Sequence, residues 1–178
     1  MTLYYIVFLL SVGSFVFSRK KGTFLAWIVF VLMFIMTYYR DSTVGTDTIN
    51  YLIYSDDHRE SEYIVNFISW LIVSGDLNSR GIICATSLVT FIFSGLCVHK
   101  YKIDVRFFVL FFFLCNIFVM GLNISRQIAA VAIIAYFVPF INSCHIKKRL
   151  LFFVGVAFAY GFHYSSMFCV VLYPILRY

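Results

Sequence analysis

The sequence predicts an all-α, polytopic transmembrane helical bundle with about six spans plus one interfacial or re-entrant amphipathic helix. Three observations carry that prediction. The chain of 178 residues is 62% hydrophobic and 21% aromatic but only 12% charged, with a mean hydropathy of +0.92. Soluble domains average about 25% charged residues, so this chain has roughly half the usual charge. Long, nearly uncharged stretches follow one another, most of them close to the ~20 helical residues that cross a hydrocarbon core. Finally, the basic residues gather in short clusters between those stretches.

The first apolar stretch runs from Leu3 to Phe17. A cleaved signal peptide is the competing reading of so short a run. Against it, the charges follow the run instead of preceding it, and no small-x-small cleavage site is convincing. The second span covers Thr23 to Tyr39, and a polar loop from Arg40 to Ser61 follows. Glu62 to Ser74 is amphipathic and short, so it either spans thinly or lies in the interface. Further spans are expected at Ile82 to Val98, Phe107 to Leu122, Gln127 to Ile141, and from Leu150 onward. Pro139 and Pro174 are the only prolines, and no repeat or linker divides the chain, so residues 1–178 read as a single transmembrane domain. Cys84, Cys97, Cys115, Cys144 and Cys169 show no metal-ligand spacing and mostly sit in apolar runs, as small hydrophobes do.

A net charge of +6 does not point to nucleic acid, because the basic residues share no soluble element. Arg19, Lys20 and Lys21, then Lys100, Lys102 and Arg106, then Lys147, Lys148 and Arg149 mark loops on the cytoplasmic side. All nine fall on that side only if Glu62 to Ser74 does not cross. The N-terminus is then extracytoplasmic, as are the Arg40 to Ser61 loop, the Asn123 to Arg126 turn and the surroundings of His163. Six of the eight acidic residues, Asp41, Asp47, Asp56, Asp57, Glu60 and Glu62, lie in or at the end of that outer loop. The membrane-proximal polar clusters therefore gather at one face.

Arg40 begins the first cluster, where the second span leaves the bilayer. Gly45 permits a tight turn, and Thr46 or Asp47 suits the cap of a helix that would place Asp47 and Tyr51 on one face. Snorkelling of Arg40 is the simpler alternative. Asn123, Arg126 and Gln127 form the second cluster, spaced i, i+3, i+4 so that one helical face presents all three. An arginine near a membrane helix end is costly unless paired or solvated, and the neighbouring amides make snorkelling a poorer explanation. In the third, Gly161-Phe162-His163-Tyr164-Ser165-Ser166, the histidine falls some 20 Å up a membrane of about 30 Å. It suits either a hydrogen bond between helices or a neutral base. Glu62 heads the amphipathic segment and reads as a cap or as a further candidate.

In this order, Arg40, Val44-Gly45-Thr46-Asp47, Tyr51, Glu62, Asn123 with Arg126-Gln127 and Ala129, then Phe162-His163 with Ser165 resemble the EpsG-type branch of the Wzy polymerases. The resemblance implies a glycosyltransferase of the bacterial inner membrane that joins oligosaccharide repeat units carried on undecaprenyl diphosphate, at the extracytoplasmic face. O-antigen, capsule and exopolysaccharide are the products of such enzymes. Members of the family continue with further spans after the His motif, whereas this chain stops at Arg177-Tyr178. It is expected to correspond to the N-terminal half of a longer polymerase, inactive through truncation or completed by a second chain.

On this reading, departure of a lipid diphosphate builds negative charge that a guanidinium stabilises, with Arg126 the first choice and Arg40 the second. The acceptor hydroxyl must lose a proton, and His163, Asp47 and Glu62 are the candidates to take it. Asn123, Gln127, Thr46, Tyr51 and Glu62 would bind sugar or phosphate. No acidic pair has a metal-ligand context, so neither a metal nor a cofactor is expected, and membrane lipids are the other partner. Two other functions fit the same composition. A flippase for lipid-linked oligosaccharide would show inverted repeats and polar access from both sides, which the sequence lacks. A non-catalytic membrane partner would tolerate loss of Arg126 or His163.

Overall fold

The computed structural model describes residues 2–41, 43–45, 48, 62–76, 78 and 80–177, and the regular structure among them is helical. Helix α1 covers Thr2–Gly13 and α2 covers Arg19–Tyr38. They are followed by α3 at Tyr63–Ser74, α4 at Gly81–Lys100, α5 at Val105–Leu114 and α6 at Ile117–Asn123. Helix α7, Ser125–Phe137, runs on into a 3-10 turn at Val138–Asn142. Helix α8 is Ile146–Tyr160, and a 3-10 segment, Tyr164–Val171, leads from it into α9 at Leu172–Arg177.

Three of these helical stretches, Arg19–Tyr38, Gly81–Lys100 and Ser125–Asn142, are long and apolar enough to cross a membrane. Joining α5 and α6 across their 56° bend makes four. The expected six spans are therefore too many, and the reason is where the backbone breaks. Helix α1 ends at Gly13 after 12 residues, about 18 Å of rise. The run from Phe107 to Leu122 is interrupted at Asn116, whose left-handed φ of 61° stops an α-helix. Helix α8 stops at Tyr160 after 15 residues, because His163 is extended at φ −156°.

Two buried clusters hold the helices together. One unites α1, α2, α5 and α6 with the near face of α4 around Phe30, whose ring centroid lies 4.8 Å from Phe91 and 5.9 Å from Phe108. The other packs α7 against α8 through Ala129, Ala130, Ile133, Phe152, Val156 and Ala159. Helix α4 lies between them and presents buried Thr86, Ser87, Thr90 and Ser94. Small residues on α4 and α7 allow close backbone approach, the usual means of helix association where lipid is as apolar as the side chains. Thr86 and Thr90 satisfy their hydroxyls on Ile82 and Thr86 carbonyls of their own helix.

The ends of the helices are closed by cations. Lys100 donates to the Tyr136 carbonyl at 3.1 Å, and the Tyr101 hydroxyl donates to the same carbonyl at 3.0 Å, covering the C-terminal end of α7. Burial pushes the Tyr101 phenol up to about 12. At the opposite end of the bundle, Arg80 donates to the carbonyls of Tyr38 and Arg40 at 3.2 and 2.8 Å, closing the end of α2.

Helix α3 runs across that second end. Its first turn meets Gly161 at the end of α8, and Ile72 near its last turn meets Gly81 at the start of α4. Both of its termini therefore sit at one end of the bundle. Its buried stripe is Val65, Ser69 and Ile72, while Phe67 and Trp70 stack with centroids 6.0 Å apart on the exposed side.

Candidate functional site

Sequence dictates the docking of α3. The amides of Ile64 and Val65 donate to the Gly161 carbonyl at 3.1 and 3.3 Å, so donors from the first turn of α3 meet a terminal acceptor of α8. Tyr63 donates its hydroxyl to the Ala157 carbonyl at 2.5 Å. This contact fixes Glu62, which occupies the N-cap position of α3 and is 1% exposed. It is not a solvated cap. Its two carboxylate oxygens face two helices, Oε2 accepting from Arg126 Nη1 and Oε1 lying 3.0 Å from His163 Nδ1.

Arg126 and His163 are themselves buried, so the three ionisable groups form one desolvated cluster. The tautomer of His163 follows from its neighbours. A carboxylate paired with a guanidinium only accepts hydrogen bonds, so Nδ1 carries the proton and donates to Glu62. In the neutral ring Nε2 is then the acceptor, and the Gln127 side-chain amide lies 3.0 Å from it. Glutamate orienting a histidine whose far nitrogen keeps a lone pair is the arrangement of a general base with its positioning group. His163 and Gln127 also line an open groove of about 350 Å³, together with Ser165, Ser166 and Cys169.

Asn123 departs from the expected single face. It is the last residue of α6, and Ile124, at φ −124° and ψ 52°, breaks the backbone before α7 begins. Only Arg126 and Gln127 belong to α7, and they reach the cluster from adjacent positions. Asn123 belongs to a different helix.

Arg40 does not snorkel. It is 4% exposed, immediately beyond α2. From it the chain turns through Thr43, which donates to Asp41 Oδ1 from both backbone and hydroxyl at 2.9 and 2.8 Å. Gly45 follows at φ +88°, and a Cβ there would collide with the Leu122 carbonyl of α6. The glycine thus seats the Arg40 loop against the residue preceding Asn123. Thr48, fully buried, closes the turn by donating to the Val44 carbonyl at 2.5 Å. Thr46, Asp47 and Tyr51 lie outside the described residues.

A model of the EpsG family matches residues 23–178, which includes every residue of this cluster. The chain belongs to the EpsG family. No curated protein and no solved structure matches it.

Within this EpsG-family chain, Glu62, Arg126, Gln127 and His163 are brought into direct contact, while Arg40 and Asn123 belong to the same end of the bundle. Sequence reasoning missed Arg80 and Tyr63, which position the site without entering it. Arg80 stands at the head of a span, a basic residue where a carbonyl-rich helix end of another span could be met. Tyr63 offers no signal beyond lying next to Glu62. Among the described residues, no group of three His, Cys, Asp or Glu is arranged to hold a metal.

Proposed function

We propose that this multi-pass membrane protein takes part in polymerising lipid-linked oligosaccharide repeat units for a bacterial surface polysaccharide. Its site lies at the extracytoplasmic face of the inner membrane, with the N-terminus outside and α3 along the outer interface. The observation that carries this reading is the buried Glu62, Arg126 and His163 cluster, with exposed Gln127 at its edge, beside an open groove at the end of the bundle away from the basic loops.

The chemistry is a glycosyl transfer. The acceptor hydroxyl displaces the Gln127 amide from His163 Nε2 and gives up its proton there as its oxygen attacks the anomeric carbon of the growing chain. The bond from that carbon to the carrier diphosphate breaks, and the electron pair leaves with the diphosphate. Nδ1–H stays on Glu62, which stabilises the imidazolium that forms. Arg126 holds positive charge in a poorly solvated site, where it acts on the developing diphosphate charge more strongly than it would in water. Arg40 supplies a second guanidinium at the same end, and Asn123 and Gln127 orient sugar hydroxyls, with Thr46, Asp47 and Tyr51 of the outer loop as further binding groups. O-antigen, capsule and exopolysaccharide are all products that this reaction can extend.

Complementation of a strain lacking its polysaccharide polymerase tests the proposal. Together with any chain needed to complete the enzyme, the parent should restore a ladder of long glycans. Arg126→Ala and His163→Ala, inserted into the membrane at parental levels, should not. Restoration by both variants would remove the catalytic roles assigned here.

A further inference from the structure

Hydroxyls from three helices converge away from the groove. Thr37 stands one residue before the end of α2, Ser87 and Thr90 share a face of α4, and Ser125 opens α7. All four are at most 5% exposed and line one cavity of about 10 Å³, whose other walls include Phe91 and Phe112. That is room for a single water, which also needs two to four polar partners.

The four hydroxyls are of two kinds. Thr37 donates to the Met33 carbonyl at 2.8 Å and Thr90 to the Thr86 carbonyl at 3.0 Å, so each has spent its one proton and retains lone pairs. Ser87 and Ser125, both 2% exposed, have no hydrogen-bond partner among the described residues. Neither has a free carbonyl behind it. Four residues back from Ser87 is Ile83, whose carbonyl already takes the Thr86 hydroxyl at 3.2 Å besides its helical amide. Behind Ser125 the helix has not begun, because Ile124 lies outside helical torsions at φ −124° and ψ 52°. An unmet hydroxyl in an apolar interior is costly, and surrounding hydrocarbon offers nothing to relieve it.

We propose that this cavity holds one ordered water, which accepts from Ser87 and Ser125, donates to Thr37 and Thr90, and so pins the first turn of α7 to α4. Two donors and two acceptors are the complement of a water's own two lone pairs and two protons. A sodium ion would leave both serine protons unused, with no carboxylate lining the cavity and the Arg126 charge next to Ser125 in sequence. A halide would find two donors and face two sets of lone pairs. Arg126 and Gln127 extend from the turn that the water holds.

Equilibrium unfolding of the full chain in mixed micelles reads the contribution of each serine. Ser87→Ala and Ser125→Ala each take away one of the water's four bonds and should lower the folding equilibrium constant about fivefold, as loss of one ordinary hydrogen bond does. Ser94→Ala is the control, a buried serine of the same helix outside the cavity. It brings the same gain in helix propensity, so it should leave the constant unchanged or raise it. A dry cavity gives the opposite sign at Ser87 and Ser125, because alanine then removes an unmet polar group.

Solid-state NMR in bilayers of deuterated lipid, with polarisation transferred from water protons, reads the water itself. Transfer should reach Ser87 and Ser125 sooner than fully buried Ile83 and Val109. In the Ser87→Ala/Ser125→Ala double variant, transfer to Thr37 and Thr90 should slow to that of Ile83. The Ile128 amide, which donates to the Ile124 carbonyl at 3.1 Å in the first turn of α7, should exchange faster in Ser87→Ala and at the parental rate in Ser94→Ala.

Alanine at Ser87 and Ser125 as benign as at Ser94, or transfer reaching the two serines no sooner than Ile83, would overturn the proposal. So would a stability that rises when sodium replaces choline at constant ionic strength, the mark of a cation in the cavity, or an Ile128 amide indifferent to Ser87→Ala.

Discussion

Gly161→Ala isolates the contact on which the site depends. Gly161 has ordinary helical torsions, φ −64° and ψ −20°, so alanine brings no backbone strain. At an unhindered position the change would stabilise by about 0.4–1 kcal/mol by reducing unfolded-chain entropy. Here a Cβ would sit 2.5 Å from Ile64 Cγ1, 2.6 Å from Ile64 Cδ1 and 2.9 Å from Tyr63 Cε2. Those atoms belong to the first turn of α3, which must back away. Overpacking of this kind costs about 1–3 kcal/mol. The two amide bonds from Ile64 and Val65 to the Gly161 carbonyl stretch with it, at about 1 kcal/mol each. The expected net loss is about 2–4 kcal/mol, with Glu62 drawn off Arg126 and His163. Equilibrium unfolding in mixed micelles reads the first quantity and the glycan ladder reads the second. Adding Ile64→Ala should recover part of the loss, since it removes the two nearest atoms. A Gly161→Ala protein as stable as the parent, or more so, would refute the docking argument.

Three further outcomes follow from the same coordinates. Glu62→Ala leaves the Arg126 charge buried without its carboxylate and should cost about 3–5 kcal/mol in the same unfolding assay, whereas pairing Glu62→Leu with Arg126→Met should recover most of it. Gly45→Ala should cost at least ~1–2 kcal/mol from its left-handed torsion, before the collision with the Leu122 carbonyl, and should speed hydrogen exchange across Thr43 to Thr48. Asp104 caps α5 by accepting from the Arg106 amide at 3.0 Å and pairs with the Arg106 guanidinium at 2.6 Å, which together hold its carboxyl below the usual range. Its contribution should therefore be complete above the ordinary carboxylate range and fade as pH falls through its lowered value. Asp104→Ala should cost about 1 kcal/mol at neutral pH, and Asp104→Asn, which keeps the cap, less, with the acid-range dependence gone in both.

The class of fold and the end of the bundle that carries the polar residues were legible in composition and in the spacing of Lys and Arg. Span number was not. Hydropathy sums side chains and is blind to the backbone, so an apolar run such as Phe107 to Leu122 reads as continuous although Asn116 turns it. The asparagine itself was the available signal, as the residue that tolerates a left-handed torsion. Arg126 and His163 stood out because charge and imidazole are rare in membrane helices. Glu62 read equally as a cap or as a candidate, because nothing local shows that it lies 64 residues from one partner and 101 from the other in sequence while touching both. Asn123 was assigned to the face of Arg126 on helical spacing, and the break at Ile124 defeats that assignment.

The central claim is that Glu62 orients His163 with Nδ1 protonated and leaves Nε2 a lone pair beside the groove. Nitrogen-15 spectroscopy of histidine-labelled protein in bilayers at neutral pH measures this directly, with His163 identified by its loss in His163→Ala. One protonated and one unprotonated ring nitrogen are predicted, with the Nδ1 resonance shifting in Glu62→Gln and the Nε2 resonance in Gln127→Ala. A proton on Nε2 with a bare Nδ1, or a His163 indifferent to Glu62→Gln, would contradict the account.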